Sequence, residues 1–211
     1  MKKIPRETVW RLATYLRALL DYFPGTQHIS SFKLARLLGI NPNQLRKDLS
    51  YFGKFGKRGV GYNVGELIDN IKDILGLNRK WNVVLCGLGN LGRALSSYKG
   101  FADQGFHIRI IFENDKKKIG TKFRGIDVVD IDKLNGKLIE KYSLRIAILA
   151  IPVYQARFVA DRLYTAGIRA ILNFAPVDIN LPQDCLVRNV SMTAGLTYLS
   201  YFLIRKAGPK I

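Results

Sequence analysis

The residues Gly87-Leu88-Gly89-Asn90-Leu91-Gly92 follow directly on the apolar run Val83-Val84-Leu85-Cys86. Glycines at this G-x-G-x-x-G spacing allow a tight turn and let the backbone approach a pyrophosphate. Unpaired N–H groups at the start of the next helix can then hold it. A second apolar run, Ile108-Arg109-Ile110-Ile111-Phe112, ends in Glu113, 21 residues after Gly92. An acid at that distance can accept hydrogen bonds from a ribose diol. Strand, glycine turn, helix, strand and acid are in register, and together they predict a dinucleotide site. The alternative is a glycine-rich turn that binds nothing. Glu113 would repel a 2′-phosphate, which favours NAD(H) over NADP(H). Lys116-Lys117-Lys118 nearby could neutralise such a phosphate and pull the other way.

The flanking pattern predicts how this loop is positioned. Ile126-Val128-Val129 reads as a short strand and Leu134–Tyr142 as a helix. Arg145–Ile151 is a near-continuous apolar run, as a strand buried on both faces requires. Pro152–Ala166 is its crossover helix, and Ala170–Phe174 and Leu186-Val187 are further strands. Such alternation predicts an α/β fold with a Rossmann-like, doubly wound parallel sheet, whose ligands lie beyond the carboxyl ends of the strands. Those ends include Ile151 with Pro152, and Asn173 with Phe174.

A second set of side chains lies in Asn41–Phe52. Asn41 is a good helix N-cap and Pro42 suits the first turn. Leu45, Leu49 and Phe52 share one face at i, i+4, i+7. Lys47 points almost opposite, flanked by Asn43, Gln44, Ser50 and Tyr51, with Arg46 at the margin. A short helix opening at Ser30 or Ser31 and closing at Gly39 precedes it, and Glu7–Tyr22 is a longer amphipathic helix with Val9, Leu12, Ala13, Leu16, Leu19 and Leu20 at helical spacing. This is a helix-turn-helix whose second helix can enter a major groove. Val60, Tyr62 and Val64 alternate as a strand would, and Gly56-Lys57-Arg58-Gly59 is a basic hairpin tip, suited to phosphates and a narrow minor groove. The sum is a winged helix. Glu66–Leu75 adds an amphipathic helix, and Gly76–Lys80 reads as a hinge.

The formal net charge is +18, with +9 on residues 1–80 and +9 on residues 81–211. Such an excess favours polyanions: nucleic acid, a membrane surface or an anionic ligand. No apolar run is long enough to span a bilayer and no signal-peptide core follows the start, so a cytoplasmic protein without a membrane role is expected. The two cysteines, Cys86 and Cys185, form no C-x-x-C or Cys/His cluster, which argues against structural metal and for inert thiols.

A dehydrogenase would need a proton-transfer group beside the dinucleotide. The two histidines are His28, in the first half, and His107, ahead of the second strand; Tyr98 and Lys99 are adjacent and do not face one substrate together. An enzyme is therefore disfavoured, as is a CoA- or nucleotide-binding ligase subunit, which leaves the winged helix unexplained. The final helix, Thr193–Arg205, carries Leu196, Tyr198, Leu199, Tyr201, Phe202, Leu203 and Ile204 around most of its circumference. Such a helix must be buried: between domains, in a second subunit of a two-fold dimer, or within its own domain.

Four runs then resemble one family: Gln44–Gly53, Lys57–Tyr62, Gly87–Gly92 and Ile171–Pro176 are similar to those of the redox-sensing transcriptional repressor Rex. The resemblance covers essentially the whole chain. It implies a winged-helix domain over residues 1–78, a Rossmann domain over 79–190 and a C-terminal helix, 191–211, exchanged between the subunits of a homodimer. It implies double-stranded operator DNA bound when NADH is scarce and released when NADH rises. By position, Lys47, Ser50 and Arg58 match operator contacts, with Gln44, Arg46, Tyr51, Lys57, Gly59 and Tyr62 beside them. Tyr98 matches a tyrosine near the nicotinamide, and Arg17 a first-helix arginine that couples the domains. Ser191 stands where the family usually carries an Asp that pairs with that arginine, and serine cannot form the ion pair.

Overall fold

The computed structural model describes residues 4–57 and 59–206, with the backbone alone of Lys206. The chain divides into two compact units that meet at Arg79/Lys80.

The first unit opens with α1 (Arg6–Tyr22) and β1 (His28–Ile29). α2 (Ser31–Leu37) and α3 (Pro42–Ser50) follow, then β2 (Gly56–Lys57), β3 (Gly61–Asn63) and α4 (Val64–Leu75). The expected caps are in place: Ser30 Oγ accepts from Lys33 N and Asn41 Oδ1 from Asn43 N. The buried face of α1 is Thr8, Leu12, Tyr15, Leu16 and Leu19, while Val9, Ala13 and Leu20 are exposed. The face is thus turned from the expected one, because Thr8 and Tyr15 reach a buried polar partner on α3. β3 pairs antiparallel with both β1 and β2. The expected run of alternation stops at Asn63. Its side chain accepts from Glu66 N at 3.0 Å, and Val64 therefore begins a helix instead of continuing the strand. Gly76 closes α4 at φ +69°. Leu12, Leu16, Leu19, Leu45, Leu49, Leu67 and Ile71 form one core. Each such side chain contributes roughly 1.5–3 kcal/mol of transfer energy.

The second unit runs β4 (Trp81–Cys86), α5 (Asn90–Ser96), α6 (Lys99–Asp103), β5 (Phe106–Glu113), β6 (Lys122–Phe123), β7 (Ile126–Asp130), α7 (Gly136–Lys141), β8 (Leu144–Leu149), α8 (Val153–Thr165), β9 (Ala170–Asn173), β10 (Leu186–Asn189) and α9 (Met192–Lys206). The sheet order is β10-β9-β8-β4-β5-β7-β6, parallel throughout except that β6 returns antiparallel on β7. Strand order reverses direction at the β4/β8 pair, the switch point where ligands of doubly wound sheets bind. Alternate residues of β4 feed opposite cores: Val84 and Cys86 pack on one face, Val83 and Leu85 on the other. α7 starts at Gly136, two residues later than the apolar pattern suggested, because Asn135 Oδ1 caps it through Leu138 N. The predicted helix after the glycine loop is broken at Tyr98, which precedes the separate turn α6.

α9 departs most from expectation. Residues 191–205 are exposed within the single chain, with Leu196 at 70 % and Ile204 at 72 %. Burial in its own domain is excluded. Among the described residues no helix is long and apolar enough to cross a membrane.

Candidate dinucleotide and nucleic-acid sites

The glycine loop is built by close approach. Gly87 has φ +94°, and a Cβ there would lie 2.4 Å from Ala150 O; a Cβ on Gly92 would lie 2.0 Å from Gly87 O. Both positions therefore demand glycine for the fold. Gly89 differs: its φ is −75° and a Cβ would meet no atom within 4 Å. Its missing side chain leaves open space above the loop. The amides opening α5 at Asn90, Leu91 and Gly92 have no partner within the helix. Arg93 N is the first to bond back, to Gly89 O. Leu88 is buried beneath the loop, and its N–H donates to Glu113 Oε2 at 2.7 Å.

Glu113 is thus part of the loop's support. Its Oε1 accepts from Asn114 N at 2.8 Å and Asp115 N at 3.1 Å. Lys118 Nζ stands 3.8 Å from Oε2 and 3.2 Å from Asp115 Oδ2. The cation raised as a counterweight to the acid is therefore at the acid. A cavity of about 210 Å³ joins Gly87, Glu113 and Ile151 to Phe158 and Arg162. Arg162 donates to Asp132 Oδ1 at 3.1 Å and lies over the Phe158 ring. Arg162 was not singled out in the sequence. Lys118 was one of the three lysines weighed beside Glu113, whereas no spacing signal marks Arg162.

Pro152 caps α8. Asn173 is fully buried, and its amide donates to Ala175 O, Val177 O and Asn189 Oδ1 while its oxygen accepts from Ala175 N. That side chain builds the loop after β9 and has little capacity left for a ligand. Phe174 packs partly buried against the second core. Tyr98 is 62 % exposed and meets Phe101 edge-on. His107 lies at the amino end of β5, away from the strand ends that form the loop. Cys86 is held protonated, its thiol pushed up to about 12 by burial, and burial also raises Cys185. Among the described residues no three His, Cys, Asp or Glu side chains gather for a metal.

In the first unit, Arg46, Lys47 and Ser50 are exposed on α3. Arg46 donates to Ser31 Oγ at 2.6 Å and to Asn43 Oδ1, which ties the basic face of α3 to the start of α2. Ser50 Oγ donates to Lys47 O at 2.7 Å. A cavity of about 580 Å³ brings Arg46, Ser50, Lys57, Gly59 and Tyr62 together with Ser31 and Lys54. Lys47, Gln44 and Tyr51 do not line it. Tyr62 is only 8 % exposed; its ring packs against Gly56, and burial raises its hydroxyl. It seats the wing and offers little to a ligand. Gln44 is half-buried and donates to Asp48. Arg58 lies outside the described residues.

Arg17 is exposed and pairs with Asp21 at 3.3 Å. Ser191 Oγ accepts from Ala194 N at 3.2 Å and caps α9, a task that Ser and Asp perform about equally well.

Comparison with known proteins completes the picture. A family described as "Putative DNA-binding protein N-terminus" matches residues 3–50, and one described as "CoA binding domain" matches residues 78–177. The redox-sensing transcriptional repressor Rex of Carboxydothermus hydrogenoformans is 46% identical over 204 residues, covering 96% of this chain and 98% of that protein. Rex 1 of Thermotoga maritima is 44% identical, covering 97% and 98%. Among solved structures, the Rex-family repressor RSP bound to β-NAD+ and operator DNA matches at 36% identity and a TM-score of 0.89, covering 98% of this chain and 95% of that one. RSP bound to β-NADH matches at 35% identity and 0.88, covering 98% and 97%. With relatives this similar along nearly its full length, the chain belongs to the Rex family of redox-sensing transcriptional repressors.

Proposed function

We propose that this chain is a DNA-binding transcriptional repressor that senses the NADH/NAD+ ratio, and that it is not an enzyme. One observation carries the reading. A winged helix with an exposed basic helix and a doubly wound sheet with a glycine loop share one chain, and relatives of that same span are repressors. Operator DNA is bound when NADH is low and released when NADH binds. A protein that reads a bacterial chromosome works in the cytoplasm.

In this reading residues 1–78 read DNA, residues 79–190 hold NAD(H), and residues 191–211 are exchanged in a homodimer. The N–H groups of the Gly87–Gly92 loop hold the pyrophosphate, where partial positive charge collects. Glu113 receives the ribose diol through the capacity left on Oε2. Tyr98, Ile151 and Pro152 border the remainder, and Asn173 and Phe174 shape the adjoining loop. α9 is covered by the partner subunit, which accounts for apolar side chains exposed on every side. Lys47, Ser50, Arg46 and Gln44 face the major groove, with Lys57, Arg58 and Gly59 on the wing; Tyr51 and Tyr62 support them. NADH and DNA favour different arrangements of the two units, so each weakens the other. Arg17 and Ser191 couple the two units without the usual Arg–Asp ion pair.

Substitution of Lys47 by Ala tests the DNA half. Duplexes selected by the wild-type protein from a randomised pool should bind the variant about tenfold more weakly, with a shallower salt dependence and unchanged NADH affinity. Unchanged DNA binding would remove α3 from the groove.

A further inference from the structure

The most enclosed charge of the first unit lies on the inner side of α3. Asp48 has no solvent exposure. Its oxygens accept from Thr8 Oγ1 at 3.0 Å, Arg11 Nε at 2.6 Å, Arg11 Nη2 at 2.7 Å, Tyr15 OH at 2.7 Å and Gln44 Nε2 at 2.9 Å. Three of the four donor residues belong to α1, and the fourth is one turn earlier on α3.

Stability alone does not explain this arrangement. Burying a carboxylate is costly, and a well-packed apolar side chain of similar volume often stabilises as much or more. What the carboxylate adds is direction. Leu45 and Leu49 anchor α3 by contacts that tolerate sliding and rotation, since apolar attraction is non-directional. Five charge-assisted hydrogen bonds tolerate neither. α3 spans nine residues, too short to hold its own geometry in isolation. Asp48 therefore fixes the rotation and axial position of α3 against α1.

A second consequence follows for Gln44. An ionised carboxylate only accepts. The Gln44 amide must turn Nε2 towards Asp48, because the flipped amide would bring its carbonyl against the charge. Its Oε1 then points away from the buried acid and can accept from a base amino group, adenine N6 or cytosine N4. The flipped amide would instead address thymine O4 or guanine O6.

We infer that Asp48 is a positioning residue for DNA recognition: it locks the recognition helix to α1 and sets the Gln44 amide to read a base amino group. This rests on α3 being the groove helix.

The test compares wild type, Asp48→Asn, Gln44→Ala and Tyr15→Phe. Each is measured against a duplex selected by the wild-type protein from a randomised pool and against all its single base-pair substitutions. Melting temperature and NADH affinity are measured alongside, with binding assayed well below the lowest melting point. Gln44→Ala should lose base preference at one position per half-site, where wild type prefers A or C on the contacted strand. The amide introduced by Asp48→Asn offers a donor as well as an acceptor and permits the flip, so this variant should change preference at that same position. It should also bind at least tenfold more weakly and hold NADH within twofold of wild type. Tyr15→Phe removes one donor and keeps the ring; it should weaken binding three- to fivefold at every duplex. It decides the locking role should Asp48→Asn not fold. Uniform weakening by Asp48→Asn with the preference profile intact would overturn the inference, as would full affinity in Tyr15→Phe or an unaltered profile in Gln44→Ala. A wild-type protein that selects no duplex overturns the repressor reading itself, a result distinct from all of these.

Discussion

Among the described residues each unit buries one carboxylate, and the two are held in opposite ways. Asp48 takes its hydrogen bonds from side chains, three of the donor residues on another helix. Glu113 takes its bonds from the backbone, through Leu88, Asn114 and Asp115, with Lys118 alongside. A carboxylate bound by side chains of a second element ties two elements together and is saturated by them. A carboxylate bound by local N–H groups shapes a loop and keeps an edge for a ligand; Glu113, 7 % exposed, borders a cavity, whereas Asp48 borders none of those described. Burial of an acid therefore does not mark a binding site. The source of its donors does.

The contrast can be broken at its glycine loop. Gly92→Ala forces a Cβ to within 2.0 Å of Gly87 O. It should cost the second unit about 3 kcal/mol and abolish measurable NADH binding, while DNA affinity of the first unit persists. Gly89→Ala meets no atom and is its control, with unchanged melting and about tenfold weaker NADH binding, because only the ligand needs that space. Calorimetric melting and NADH titration separate the two. Equal effects would mean that the loop is shaped for folding alone.

α9 offers the next largest effect. Replacing Leu196 and Phe202 by Ser should convert a dimer to a monomer by light scattering. Affinity for a two-half-site duplex should fall by about 100-fold, since each half-site then binds singly. A dimer of unchanged stability would show that α9 is covered by something else.

The smallest effect concerns acid. Burial opposes ionisation of Asp48, but hydrogen bonds from Arg11, Tyr15, Gln44 and Thr8 outweigh it and hold the carboxyl at about 2, below the ordinary 3.8. A group depressed in the folded state contributes stability that is present above its unfolded value and lost as pH falls through its folded value. About 2 kcal/mol should therefore vanish between pH 4 and pH 2, and Asp48→Asn should remove that dependence. Melts across this range check it. An equally steep acid loss in the variant would assign the dependence elsewhere.

These particulars show what the sequence could and could not disclose. The glycine loop, the Asn41 and Ser30 caps and the near-continuous apolar run of β8 are local patterns, and each predicts its own backbone. Gln44 is placed in a site by the outward face of its helix, Asn173 by the carboxyl end of its strand and Tyr62 by position in a motif. Tyr62 and Asn173 turn inward, and the Gln44 amide nitrogen turns to Asp48, because partners such as Asp48 for Gln44 and Asn189 for Asn173 are set by tertiary packing. Asp48 itself was passed over as one charge on a polar helix, since Thr8, Arg11 and Tyr15 lie 33 to 40 residues earlier. Val64 reads as a strand residue from its alternation with Val60 and Tyr62, and the Asn63 cap makes it the first residue of α4 instead. The all-round apolar pattern of α9 announced a covering surface without naming it.

In the function proposed above, the bound dinucleotide takes the first unit off DNA and is not consumed. The most direct test is a titration of NADH, NAD+ and NADPH into the complex of the purified protein with its selected duplex, followed by fluorescence anisotropy. NADH should release the DNA at concentrations at least tenfold below those needed for NAD+ or NADPH, and should be recovered unoxidised. Equal release by NADH and NAD+, or no release by either, would contradict it.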